Sequence, residues 1–199
     1  MSETLTVDTM PPPAPGAADF LALDFANSAV ALPGGHVIDL LGTPEAANRW
    51  LADHGLAPAD AGVQETCAAQ LRSLREHLRA LFAARVAGLP APPAALSAVN
   101  DALSGAPTAA LLRWDETTGP YRAAPCPTDH VLHRALATLA ADTADLLTGP
   151  DAGRLTGCGS APCNRYLLRH GRRHWCSTRC GDRARAARAY ARRAQPKAD

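Results

Sequence analysis

The sequence predicts a mainly α-helical protein: an N-terminal helical domain with a short β-hairpin, then a small four-cysteine module ending in a basic helix. Three observations carry this. Ala- and Leu-rich stretches with few β-branched residues favour helix. Four of the six cysteines fall between positions 158 and 180. Arginines crowd the last fifty residues.

Hydrophobic residues make up 47% of the 199-residue chain but aromatics only 5%, so Leu, Val and Ala must fill the core. A net charge of +1 conceals an asymmetry. Residues 150–199 carry 12 Arg and Lys against 3 Asp, whereas residues 1–149 carry 8 basic and 16 acidic residues. Two stretches of opposite sign suggest two modules, the basic one suited to a polyanion. Met1-Ser-Glu-Thr4 has neither a basic nor an apolar signal-peptide region, and no apolar run reaches the ~20 residues that span a bilayer. A cytoplasmic protein without membrane contact is expected. In a reducing compartment, clustered cysteines favour metal over disulfides.

Residues 1–18, with Pro11, Pro12, Pro13 and Pro15, read as a disordered lead, and residues 195–199 as a disordered tail. A helical domain is expected over residues 19–149. Asp19–Asn27 reads as a short helix burying Phe20, Leu21, Leu23 and Phe25, and Pro33-Gly34-Gly35 as a turn. Thr43 caps a second helix that has Pro44 at its first position and stops near Gly55. A third runs from about Asp60 to Val86, its buried stripe set by Leu71, Leu74, Leu78, Leu81 and Phe82, with Arg72, Glu76 and Arg79 on the other side. Ala94–Leu103 reads as a fourth helix. Ala109–Trp114, a polar turn at 115–120 and Tyr121-Arg-Ala123 read as a hairpin. Thr128 caps a last helix that ends at Gly149-Pro150.

Residues 150–194 form the second module. Its pattern is Cys158-x4-Cys163-x12-Cys176-x3-Cys180. Zinc takes four thiolates in a tetrahedron, and two closely spaced cysteine pairs supply them, as in a zinc ribbon. One structural zinc ion is expected on these residues. Four protein ligands leave no position for water, which argues against metal catalysis. His170 and His174 are candidate substitute ligands, but His174 stands too close to Cys176 for natural geometry. Cys67 reads as a small core residue and Cys126 as a loop thiol.

After Cys180, Asp182 can start a helix whose Arg185, Arg188 and Arg192 share one stripe at about 100° per residue. Ala186, Ala187 and Tyr190 would face the metal module. Arg169, Arg172, Arg173, Arg183 and Arg193 add to the basic surface. Arginine's planar fork suits phosphate and guanine, so this region reads as a nucleic-acid interface rather than a solvated helix.

Cys158-x4-Cys163, Arg173-His-Trp-Cys-Ser177 and Cys180-Gly-Asp-Arg183 together resemble the CGNR zinc finger. Leu21-Ala-Leu-Asp-Phe-Ala-Asn27 is similar to the opening of the ABATE domain that precedes that finger. The resemblance implies a bacterial, stress-induced transcriptional regulator that binds DNA. It assigns the four cysteines to zinc and matches Arg183 to the motif's terminal arginine. Asp182 stands where the motif has Asn; both cap helices, but Asp would repel phosphate where Asn could read a base.

The leading reading is a DNA-binding regulator, active as a homodimer, whose N-terminal domain senses a small molecule or protein. Asp24 and Asn27, one helical turn apart, are the candidate ligand pocket, with a capping role as the rival. An RNA-binding or ribosome-associated module is an alternative, with Tyr166, Trp175 and Tyr190 available for stacking. Another is a protein-interaction role in which the acidic domain covers its own basic tail. Asp24, His36, Asp39, His54 and His77 show no catalytic spacing, so no enzymatic activity is expected.

Overall fold

The leucine stripe of the long helix forms the centre of the molecule. In the computed structural model, which describes residues 11–106, 111–123 and 131–194, helix α3 (Glu65–Ala87) packs against α1 (Leu21–Ala26), α2 (Pro44–Asp53), α4 (Pro93–Ser104) and α5 (Val131–Thr148). Leu71, Leu74, Leu78, Leu81 and Phe82 are all buried at this junction. Each such side chain contributes about 1.5–3 kcal/mol by leaving water. Gly88 ends α3 in the left-handed region, φ 65°, where a Cβ would be strained. Thr43 caps α2 by accepting the Ala46 N–H at 3.2 Å, with Pro44 in the first turn. The Thr128 cap expected for α5 lies outside the described residues, as do Cys126 and residues 195–199.

Among the described residues, three two-stranded antiparallel sheets decorate the helices: β1 (Ala29–Ala31) with β2 (Val37–Asp39), β3 (Leu111–Asp115) with β4 (Gly119–Ala123), and β5 (Leu155–Gly157) with β6 (Tyr166–Leu168). The β3–β4 hairpin has the expected place and leaves Leu112 and Trp114 exposed. The β1–β2 pair was hidden behind a Pro-Gly-Gly turn. Its second strand is anchored by a charge: Arg75, buried in the apolar stripe of α3, grips Asp39 with Nη1 at 2.6 Å and Nη2 at 2.9 Å and also donates to Ser28 Oγ. Burial pushes the Asp39 carboxyl up, but the Arg75 and Leu41 donors outweigh it and hold the group below its ordinary value.

One expectation is sharpened and one needs correction. Arg72 and Arg79, placed away from the leucine stripe, turn their heads onto the body. Arg72 Nη1 donates to the Leu41 carbonyl at 2.9 Å, and Arg79 donates to the Ala26 and Asn164 carbonyls at 2.5 and 2.8 Å. Their aliphatic stems lie along the body while their heads satisfy carbonyls at element ends. Residues 11–18, by contrast, are not a disordered lead. Ala14 is buried, the Leu168 N–H donates to the Pro15 carbonyl at 2.8 Å, and Arg165 donates to the Pro12 carbonyl. Gly16 makes the docking sterically feasible: its φ is +92°, and a Cβ there would lie 2.6 Å from Leu168. The prolines suggested disorder, but docking needs only small residues and free carbonyls.

Candidate metal centre and basic helix

The β5–β6 turn brings the first cysteine pair to the second. The Cys158 N–H donates to the Arg165 carbonyl at 2.8 Å, and Gly159 N–H to the His174 carbonyl at 3.0 Å. The Cys176 N–H points at Cys158 Sγ at 3.5 Å. Helix α6 (Thr178–Ala194) then carries Cys180 in its first turn. The cap is Ser177, whose Oγ accepts the Cys180 N–H at 3.2 Å, and not Asp182. Asp182 lies inside the helix and pairs with Arg185.

The four sulfurs of Cys158, Cys163, Cys176 and Cys180 lie within 4.8 Å of one another, with Cys163–Cys176 at 3.7 Å and Cys176–Cys180 at 3.5 Å. A tetrahedron with Zn–S of about 2.3 Å has edges of roughly 3.8 Å, so the cluster fits zinc without rearrangement. Thiol protons of Cys163 and Cys176 stabilise a thiolate at Cys158 and drive its titration far down, while the same contacts push Cys163 up. A dication removes that conflict by letting all four ionise. Among the described residues His174 is not part of the cluster; its ring stands edge-on to Trp175. A cavity of about 340 Å³ beside Cys163, Cys176 and Cys180, walled by Val30, Leu32 and Pro33, opens one side of the centre.

Trp175 fixes the rotation of α6. The Arg185 and Arg188 guanidiniums stand 5.8 and 5.5 Å from its ring centroid. Gly181 lies against this stack: a Cβ there would stand in ordinary contact with the ring, 3.4 Å away. The helix is therefore turned from the expected orientation. Ala186, Ala187 and Tyr190 face solvent, with Tyr190 76% exposed, and do not pack on the metal module. Arg169, Arg172, Arg173, Arg185, Arg188, Arg192 and Arg193 are exposed. Arg183 departs from this set: it donates to Ser160 Oγ at 3.1 Å and the Ala161 carbonyl at 3.0 Å, and its Nη2 lies 3.2 Å from Cys180 Sγ. Those bonds commit its head to the finger, unlike the exposed arginines expected beside it.

Asp24 and Asn27 also take other work than the ligand pocket proposed for them. The Asn27 amide donates to the Tyr166 carbonyl at 2.9 Å and accepts the Tyr166 N–H at 2.7 Å, extending the β6 edge like a strand. Arg79 lies over the Tyr166 ring, and Ala31 N–H donates to Asn164 Oδ1. These bonds form the seam between helical body and finger. Asp24 accepts from His54 Nε2 at 2.9 Å; His54 Nδ1 donates to the Trp50 carbonyl at 2.7 Å, and the imidazole stacks on Trp50. The Asp24 bond raises the His54 pKa, and burial only partly opposes it.

Residues 19–150 match the ABATE family, described as "Putative stress-induced transcription regulator", and residues 154–193 match the CGNR zinc finger. No curated protein matches the chain. The four clustered cysteines are those of the finger, positioned for one structural zinc ion.

Proposed function

Starting from a chain that belongs to the ABATE family and carries a CGNR zinc finger, we propose that it is a DNA-binding transcriptional regulator in which zinc holds α6 against the duplex. The observation that carries this is the exposed arginine face of α6. Among the described residues its one acidic neighbour in ion-pair contact is Asp182 on the same helix, so the acidic body does not neutralise it. Arg185, Arg188 and Arg192 meet phosphates or base edges; Arg172 and Arg173, in the loop before the helix, extend the contact along the backbone. The role is recognition rather than catalysis, because four protein ligands close the metal site. One 17-residue helix reads few base pairs, so sequence specificity is assigned to a homodimer acting in the cytoplasm.

The test is fluorescence anisotropy of the zinc-loaded full chain on duplex DNA across a salt series. Replacing Arg185, Arg188 and Arg192 by Ala should lower the log–log salt slope by about 3 and affinity by at least about 10-fold. An unchanged slope would remove the helix from the interface. A second reading, single-stranded RNA, is favoured by the exposed Tyr190 on the same helix, which can stack on a base. Competition between duplex DNA and single-stranded RNA decides: RNA reading requires that Tyr190→Ala weaken RNA binding while sparing DNA.

A further inference from the structure

Among the described residues, two guanidinium groups at the metal centre have no acid of their own. Arg165 is 3% exposed; its Nη1 lies 3.7 Å from Cys176 Sγ, its Nη2 donates to the Pro12 carbonyl at 2.8 Å, and its buried Nε has no partner. Arg183 reaches a different sulfur, its Nη2 3.2 Å from Cys180 Sγ. Among the described residues no carboxylate lies within ion-pair distance of either. A buried guanidinium without a counter-ion strongly destabilises a fold. The groups near enough to compensate are the sulfurs, and neutral thiols could not do so. Four thiolates around one dication leave a charge of −2, and two guanidiniums bring it to zero.

We propose that Arg165 and Arg183 are the counter-ions of the metal–thiolate cluster and set how firmly it holds zinc and how readily its sulfurs react. This gives the motif's terminal arginine a task other than nucleic-acid contact. Each guanidinium donates to a thiolate that also binds metal, drawing charge off the sulfur and lowering its nucleophilicity. Arg183 also lines the cavity beside Cys163, Cys176 and Cys180, so it borders the side from which solutes would reach the sulfurs. Arg165 also ties the cluster's charge to the segment that begins at Pro11, since one nitrogen faces sulfur and the other the Pro12 carbonyl.

The experiment loads the full chain with zinc and follows metal transfer to a chromogenic chelator, alongside alkylation of the loaded protein by iodoacetamide. Arg183→Met and Arg165→Met should each weaken zinc retention about 10- to 100-fold and speed alkylation. Arg183→Lys should recover most of the loss, because lysine restores charge without the fork that grips Ser160. Arg49→Met, an exposed arginine on α2, should match the parent chain. Parent-like zinc retention in folded Arg183→Met overturns the proposal. So does a loss in Arg183→Lys as large as in Arg183→Met, which would assign Arg183 to shape rather than charge. Should Arg165→Met fail to fold, the Arg183 pair still decides.

Discussion

Among the described residues, the core around α3 gathers 22 buried hydrophobic residues, Leu155 and Leu168 of the finger's strands included, whereas the finger's own cluster buries only Ala14, Leu167, Cys176 and Cys180. At about 25 cal/mol per Å² of apolar surface, the first can offset the chain entropy of its helices and the second cannot. The charges divide the same way. The stretch that contains the body is rich in acid and keeps its key cation, Arg75, paired with Asp39; the finger keeps its buried cation, Arg165, against sulfur. Cohesion from burial and cohesion from a metal thus sit side by side in one chain, joined by the Asn27–Tyr166 seam. The contrast indicates that each half can be disabled separately.

Removing the metal should give the largest effect. Zinc–thiolate sites of this kind are worth about 10–16 kcal/mol of apparent binding energy. Chelation should disorder α6, and with it the proposed DNA binding, while the helical signal of the body persists; a single cooperative loss of all helix on chelation would break the two-part picture. Leu78→Ala tests it from the other side. Leu78 is fully buried, so truncation should cost about 2–5 kcal/mol in denaturant unfolding yet leave zinc retention near that of the parent chain. Asn27→Ala strikes the seam, stranding the Tyr166 N–H and carbonyl. A loss on the order of 2 kcal/mol is expected, together with faster zinc release; hydrogen exchange at β6 would report it.

The smallest effect is a pH dependence confined to the body. Its bond to Asp24 raises the folded His54 pKa above the ordinary 6.5. That interaction stabilises fully below the unfolded pKa and fades as pH rises through the folded one. Body stability should therefore decline as pH climbs from about 6.5, and Asp24→Asn should flatten the decline in a urea series. An identical slope in both proteins would show that the pair is not the source.

Much of this was readable in the sequence because it rests on periodicity or spacing. Leu71 to Phe82 mark the core at helical intervals, Thr43-Pro44 marks a helix start, and the cysteine spacing marks a metal centre. What escaped depends on partners distant along the chain. Arg75 looks like surface until Asp39 arrives from a strand too short to show alternation. Asn27 sits 139 positions from Tyr166, so its use as a strand mimic left no local signal. Arg183 was counted with the other arginines because composition cannot tell a cation facing sulfur from one facing solvent. Ser177, lying between two metal ligands, was an overlooked cap, and missing it shifted the expected start of α6. The helix's rotation was set by Trp175, so the alanine face assumed to pack turned outward.

The contact of Pro11–Gly16 with the finger has a consequence for how the protein is made. Pro12 and Arg165 are 153 positions apart, so the first described residues wait for nearly the whole chain to leave the ribosome before they find their place. The matched finger, residues 154–193, leaves this strap out. A fragment cut at its margin would expose Leu168 where Gly16 should lie and would leave Arg165 short of a carbonyl.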